Sequence, residues 1–369
     1  LHIEAHSFPT RRSSDLDQFG GCGMHERSYN PHMISVLMAA DNDADAIRTV
    51  IRQLQEQTYP HWELIIVDNS SDPQIARMLD NLANQEPRLD VLCQSGISHF
   101  VALEIAQGRA RGAYTLTTEP SYRFNSHLLQ ELYSAATALG PVGSPKAADI
   151  VIAHMKTANL PMECKKAFGS KASSLLQVFE ESQLPYLTSM SGKLCSTRIL
   201  TEIKHEPETD GECSFVGYCF EIAKNVTYAP EAIFVDVPAE SSEEEKTIAA
   251  SMDKLTQERQ ALMALAKHLG FANSKKVQKL ISRYLISKLL KNMYPAFNEE
   301  SQLSHEEKEN FIVKILSNPV AHLIVTEATS PRLVAHALLG AILSTTTRAR
   351  YAYVRRAVWY ARFMRIPLA

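Results

Sequence analysis

The sequence has no CxxC pair, no apolar run long enough to cross a bilayer and no excess of either charge. Its six cysteines, Cys22, Cys93, Cys164, Cys195, Cys213 and Cys219, are scattered. That spacing argues against a zinc site or a disulfide framework, so a reducing, cytosolic compartment is expected. The longest apolar run of the tail, Leu333 to Leu343, is broken by His336 and is too short for a membrane span. Lys and Arg number 38 against 41 Asp and Glu, for a net charge of −3. Nothing in that balance steers the whole chain toward nucleic acid, and no nucleic-acid partner is expected. With 45% hydrophobic and 21% charged residues among 369, a largely disordered chain, a collagen-like repeat and a disulfide mini-scaffold are excluded. The length suits one large domain or two ordinary ones.

Residues 6–16 read HSFPTRRSSDL, which resembles the translation of a sequencing-adapter oligonucleotide. Residues 1–23 are therefore expected to be an adapter-derived or unstructured leader, with Met24 the first methionine of the chain proper.

Strand and helix patterns then alternate. Residues 33–38 (MISVLM) and 62–67 (WELIIV) are short apolar runs that predict buried strands. Ile47, Val50, Ile51 and Leu54 fall on one face of a helix. A second helix follows Pro73, which suits a first helical turn. Strands at 89–93 and 113–118 alternate with helices at 98–109 and 128–139. Another strand is expected at 149–154, a run into a helix at 189–200, a helix at 215–223 and a strand at 232–237. This alternation implies βαβ units and a mostly parallel sheet flanked by helices. Ligands of such sheets sit beyond the carboxyl ends of the strands. The loops at 39–43, 68–72 and 119–122 therefore matter most. After Pro238 the composition turns helical, with patterns at 241–270, 275–291, 305–316 and 331–344. The expected organisation is thus a leader at 1–23, an α/β domain at 24–238 and a helical C-terminal region at 239–369.

One family shares these loops. Ser35-Val36-Leu37-Met38, Asn42, Gln57-Thr58-Tyr59-Pro60 and the stretch Glu63 to Ser71 (ELIIVDNSS) resemble the family-two glycosyltransferases. So do Ala110-Arg111-Gly112-Ala113-Tyr114, Gly192-Lys193-Leu194, and Gly211-Glu212 followed by Phe215, Ala223 and Tyr228-Ala229-Pro230-Glu231. The resemblance covers roughly residues 33 to 237. It implies a GT-A fold, a Rossmann-like nucleotide half joined to an acceptor half in one sheet. It also implies an inverting hexosyltransferase moving a sugar from a nucleotide-diphosphate donor to a glycan or lipid-linked acceptor, as in envelope polysaccharide synthesis.

Carried over position by position, the resemblance makes Ala40, Asn42, Asp68 and Asn69 nucleotide-sugar contacts and Glu212 the base that deprotonates the acceptor hydroxyl. A turn or N-cap role is the alternative for Asp68 and Asn42, and a solvated acidic loop is the alternative for Glu212. The family's metal-binding DxD stands here as Glu119-Pro120-Ser121. One carboxylate remains where two usually hold Mg²⁺ or Mn²⁺, so weak metal binding is expected, through Glu119 alone. That change also keeps a second reading open: a GT-A-fold binding or partner module with impaired catalysis. A nucleotidyltransferase would need a glycine- and lysine-rich loop near the first strand, which is missing. Lys193 is expected at the surface or facing the diphosphate, and His99, His127 and His205 are given no role.

The tail carries a separate signal. From Ala328 to Ala369 there are seven arginines and no Asp or Glu, interleaved with Tyr351, Tyr353, Trp359, Tyr360 and Phe363. Such a helix, around 347–365, suits an anionic membrane surface and a peripheral location at its inner face. A face docked on an acidic patch of the same protein is the alternative.

Overall fold

The computed structural model describes residues 30–40, 42–157, 179, 183–203, 211–237, 248–297, 304–328, 330–364 and 366. The leader, Cys164, His205, Asp210 and Arg365 lie outside them, as does the boundary expected near 239. That boundary remains a proposal.

The first half alternates as the apolar pattern dictates. It runs β1 (Asn30–Ala40), α1 (Ala44–Gln55), β2 (Trp62–Asp68), α2 (Pro73–Gln85), β3 (Leu89–Cys93), α3 (His99–Gln107) and β4 (Gly112–Thr117). Three of the helix starts are capped by side chains: Asp43, Asp72 and Ser98 accept from the backbone amides of Ala46, Gln74 and Val101. The next elements are β5 (Tyr122–Phe124), α4 (Leu128–Thr137), β6 (Ile150–Thr157), α5 (Leu184–Leu187), β7 (Lys193–Ser196), α6 (Thr197–Glu202), α7 (Glu212–Ile222) and β8 (Val226–Asp236). The C-terminal region is helical: α8 (Ile248–His268), α9 (Lys275–Met293), α10 (His305–Leu316), α11 (Pro319–Thr326), α12 (Arg332–Leu343) and α13 (Thr347–Phe363).

The strands form one mixed sheet in the order β3-β2-β1-β4-β7-β6-β8-β5. The pairs β1–β2, β1–β4, β2–β3 and β6–β8 are parallel; β4–β7, β6–β7 and β5–β8 are antiparallel. Three features were missed by pattern. Residues 189–200 are not a run into one helix, because Lys193–Ser196 is a buried strand of only four residues before α6 begins. Such a strand is too short to show alternation. The three-residue β5 escapes for the same reason, and β8 begins at Val226 rather than at 232.

Several of the motif residues hold this sheet together. Glu63 of β2 is buried and ties β1 to the residue before β4: its Oε1 accepts from the Ser35 hydroxyl at 2.6 Å and the Arg111 amide at 2.8 Å, and its Oε2 accepts from Arg111 Nε at 2.7 Å. Gly112 passes so near β1 that a Cβ there would meet the Met33 carbonyl oxygen at 2.5 Å. Gln57 clamps the end of α1 to the loop after β5, donating to the Asn125 carbonyl at 2.8 Å and accepting from the Leu129 amide at 3.0 Å. A buried charge held by its full set of partners fixes register more than it adds stability.

The apolar core falls into three clusters. One fills the face under α1, α2 and α4. A small one packs Ala102, Leu103 and Ala106 of α3 on Leu37, Ala39, Ile65 and Val67. The third is continuous from Ile150, Ile152 and Cys195 of the sheet through Phe215, Val216 and Phe220 of α7 into α8 to α13. The helical region thus buries its apolar faces against the helix that begins with Glu212. Cys213 and Cys219 are buried packing residues of α7, as expected.

Candidate active site

Parallel pairing puts the carboxyl ends of β1, β2, β3 and β4 on one edge. The antiparallel β7 brings its amino end to the same edge, and β6 and β8 return their carboxyl ends there. Ala40, Asp68, Thr117, Lys193 and Asp236 therefore lie along one line, where the topology predicts a ligand.

In the first half, the four residues expected to contact a nucleotide sit on two stitched loops. Ala40 accepts from the Asn69 amide at 3.0 Å through its carbonyl, and Asn42 Oδ1 accepts from the Ser71 amide at 3.0 Å. Asp68 is buried at the end of β2, and its Oδ1 accepts from the amide of Ser70 at 3.0 Å and its hydroxyl at 2.5 Å. The Asn69 carboxamide is engaged on both sides by Ile97, donating to its carbonyl at 3.0 Å and accepting from its amide at 3.3 Å. Asn69 ties the β2 loop to the loop before α3, so its side chain acts on that architecture.

In the second half, three carboxylates gather. Glu212 opens α7, where the helix dipole favours a negative charge. Its Oε1 accepts from the Ser189 hydroxyl at 2.8 Å and from the Met190 amide at 2.6 Å. Glu119 follows β4, and its Oε1 accepts from the Ser191 hydroxyl at 3.0 Å. Asp236 ends β8, and its Oδ2 accepts from the Tyr186 hydroxyl at 3.1 Å. One stretch, 186–191, thus reaches all three. Ser189 also accepts from the Ser191 amide at 3.1 Å, linking the two contacts.

The Glu119 carboxyl is pushed above its ordinary range. Burial is the largest cause and Glu212 and Asp236 add to it, against the opposing pull of His99 and the Ser191 hydroxyl. Burial also raises Asp236. An acid with a raised native pKa binds more protons folded than unfolded, so its contribution is fully present below the unfolded value and is lost as pH rises through the native one. Glu119→Gln keeps an acceptor for Ser191 and removes that penalty. The variant should melt above the parent at pH 8, with the gap shrinking toward pH 4.5. A gap independent of pH in thermal denaturation would mean that Glu119 is not crowded.

This donor set fits a divalent cation poorly. Glu119 is partly buried with Oε1 already accepting a hydroxyl, Ser121 is neutral, and no group of three or more His, Cys, Asp or Glu able to hold a metal ion occurs among the described residues.

One expectation is corrected. Lys193 does not lie at the surface: it is 2% exposed, and its Nζ donates to the Tyr186 carbonyl at 2.7 Å and to the Ser189 carbonyl. His99, given no role from sequence, lies near enough to Glu119 to lower its pKa. Asp236, Tyr186, Ser189 and Ser191 were also missed. Only Asp236 left a signal, an aspartate directly after an apolar strand, as at Asp68.

Residues 35–176 match the family described as Glycosyl transferase family 2. Among curated proteins, the chain is 35% identical over 89 residues to "Uncharacterized protein y4gI" of Sinorhizobium fredii, covering 22% of this chain and 10% of that protein. It is 30% identical over 82 residues to "Putative teichuronic acid biosynthesis glycosyltransferase TuaG" of Bacillus subtilis, covering 21% of this chain and 32% of that one. The matches thus span about a third or less of these relatives. In fold, the chain is similar to TarS 1-349 of S. aureus in complex with UDP-GlcNAc, with a TM-score of 0.57 at 15% identity, covering 90% of this chain and 92% of that one. The complex of TarS 1-349 with UDP gives a TM-score of 0.53 at 16% identity, covering 90% and 91%. The sheet order and this likeness in fold agree on a GT-A fold, within which residues 35–176 match the Glycosyl transferase family 2 model.

Proposed function

We propose that this chain is a glycosyltransferase of envelope polysaccharide synthesis, moving a sugar from a nucleotide-diphosphate donor to a glycan or lipid-linked acceptor. The observation that carries the reading is the pair Glu119 and Glu212, tied through Ser191 and Ser189 to one segment at the carboxyl edge of the sheet. Support also comes from TarS, whose complexes hold UDP-GlcNAc and UDP.

On this reading the donor base and ribose lie against the loops of Ala40, Asn42, Asp68 and Asn69. Glu212 accepts the proton of the acceptor hydroxyl as its oxygen bonds to the anomeric carbon. The bond from that carbon to the diphosphate breaks with its electron pair leaving on the diphosphate, and one displacement inverts the anomeric centre. The Ser189 hydroxyl and the Met190 amide hold one oxygen of Glu212, which leaves the other to face the acceptor. A screen of nucleotide sugars by thermal shift tests the donor half, because a ligand of the native state must raise apparent stability. No shift with any donor would sink the reading.

A divalent cation is the finer part of the reading. It would supply neutralisation of leaving-group charge, and Glu119 is the one carboxylate that would hold it, weakly. Transfer should therefore depend weakly on Mn²⁺, and Ser121→Asp should tighten Mn²⁺ binding. No gain by calorimetry in that variant would remove the cation from the account.

The acceptor side extends to a membrane. No described helix is long and apolar enough to cross one. The exposed face of α13 instead carries Arg348, Arg355, Trp359 and Arg362 at helical spacing, beside Arg356 and Phe363. Trp359 is 61% and Phe363 76% exposed, and their rings stack at 5.9 Å. Val354, Ala357, Val358 and Ala361 fill the opposite, buried face. Arginines that meet anionic headgroups and aromatics that enter the interface make an in-plane membrane contact. The chain should sediment with anionic vesicles and not with neutral ones, and Trp359→Ala with Phe363→Ala should weaken that binding. Failure to sediment with anionic vesicles would rule out the lipid surface and with it the location at the inner face of a membrane, and equal sedimentation with both vesicle types would rule out the headgroup role of the arginines.

A further inference from the structure

The 186–191 segment reaches three carboxylates, and its Leu187 and Met190 side chains pack into the core. Polar support for its backbone comes from β7. Lys193 extends its ammonium group to the carbonyl oxygens of Tyr186 and Ser189, the two residues whose hydroxyls bond Asp236 and Glu212. Between segment and strand, Gly192 turns with φ +71°, and a Cβ there would meet the Met155 sulfur at 2.6 Å. A left-handed turn in so close a space admits glycine and little else. The segment is thus closed at one end by a turn and braced along its length by one cation.

A buried ammonium is expensive unless its protons are matched. Among the described residues, no ion pair forms with Lys193. Burial pushes its pKa down to about 8, against the opposing fields of Cys195 and Glu212. Packing alone would favour an apolar side chain at this position. The ammonium gives what an apolar side chain lacks: two donors that fix the path of the segment, and a positive field beneath Glu212.

We infer that Lys193 is a positioning residue, which holds the 186–191 segment so that the Ser189 hydroxyl and the Met190 amide aim Glu212 at the acceptor while the Ser191 hydroxyl holds Glu119. The inference rests on Glu212 as the base of the proposed transfer and adds what places that base. Lys193 touches neither donor nor acceptor; its effect passes through the segment. Removing its donors frees the Tyr186 and Ser189 carbonyls, the segment shifts, and Glu212 loses two of its bonds. Donor affinity is unaffected, because Asp68 and its neighbours lie on loops that Lys193 does not contact.

The test uses the full chain, with labelled donor and acceptor in single-turnover and steady-state assays. Lys193→Met keeps length and removes the donors. It should lower kcat by about 10²-fold, the scale of a misplacement of about 1 Å, with the donor KM unchanged. In a Glu212→Gln background the same substitution should add little, because the two residues act as one unit. Lys193→Gln, which keeps amide donors, should recover part of the loss. Equal losses in both backgrounds would make Lys193 a general packing residue and overturn the inference. Hydrogen exchange reads the clamp without activity: Lys193→Met should expose the Met190 amide while the amides of β1 and β4 stay protected. Unchanged protection at Met190 would also overturn it. Should Lys193→Met fail to fold, Ser189→Ala removes one hydroxyl at the other end of the same chain of contacts. It should lower kcat without adding to Glu212→Gln, and full activity in Ser189→Ala would contradict the inference. If the unmodified chain binds donor and transfers nothing, the reading of Glu212 fails separately. Exchange at Met190, in Lys193→Met or in Ser189→Ala, then decides the clamp by itself.

Discussion

Glu212→Gln is expected to lower the rate of sugar transfer by about 10²–10⁴-fold, the usual contribution of a general base. Glutamine keeps the size and can still accept from Ser189 and Met190, so the start of α7 and its packing should be preserved. The proton acceptor alone is lost. Donor affinity should not change, because Glu212 stands at the amino end of α7, across the sheet from the loops that carry Asp68. Transfer rates from a labelled donor and calorimetry with the same donor separate the two effects. A variant that transfers at the parental rate would place the base elsewhere. Weakened donor binding would make Glu212 part of the donor pocket.

The second large effect is expected at Asp68. Asp68→Ala removes a buried carboxylate from the end of β2, where one oxygen already holds Ser70 in place. Loss of a hydrogen bond that leaves its partner unpaired costs about 1–3 kcal/mol, or roughly 5- to 150-fold in affinity. Uridine nucleotide binding should weaken by that amount, whether or not a sugar is attached. Unchanged affinity by calorimetry would remove Asp68 from the pocket and leave it the turn residue that its Ser70 contacts describe. Asn69 gives a built-in comparison: its side chain is spent on Ile97, so Asn69→Ala should act mainly on loop stability.

The first half of this fold, β1 to β4, is legible because its signals are local. Apolar runs of five to seven residues mark β1 to β4, and Asp43, Asp72 and Ser98 announce the helices that follow. The motifs themselves report mostly on architecture. Ser35, Glu63 and Arg111 form a buried network beneath the sheet, and Gln57 is a clamp between α1 and α4. Their presence establishes the fold and leaves the chemistry open.

The second half, β5 to β8, is harder to read because its geometry is non-local. Lys193 lies in a strand of four residues, and its partners are backbone carbonyls that no sequence pattern reveals. Its burial follows from β7 being inserted between β4 and β6, which a reading of 189–200 as a run into one helix could not anticipate. Asp236 and Glu119 are separated by more than a hundred residues and share a neighbourhood only because β8 runs parallel to β6. Glu212 is proposed as the base from resemblance alone, since an acidic residue ending a run of acids has no spacing of its own to mark it.

Single displacement at the carboxyl edge of this sheet, with Glu212 on the acceptor side, must invert the anomeric centre. An anomerically defined, isotopically labelled nucleotide sugar followed through one turnover, with the product configuration read by NMR, tests that inversion. The expected result is transfer to a glycan or lipid-linked acceptor with the anomeric centre inverted and one nucleoside diphosphate released per sugar moved. Retained configuration, or tight donor binding with no transfer to any acceptor supplied, would overturn the proposed transfer.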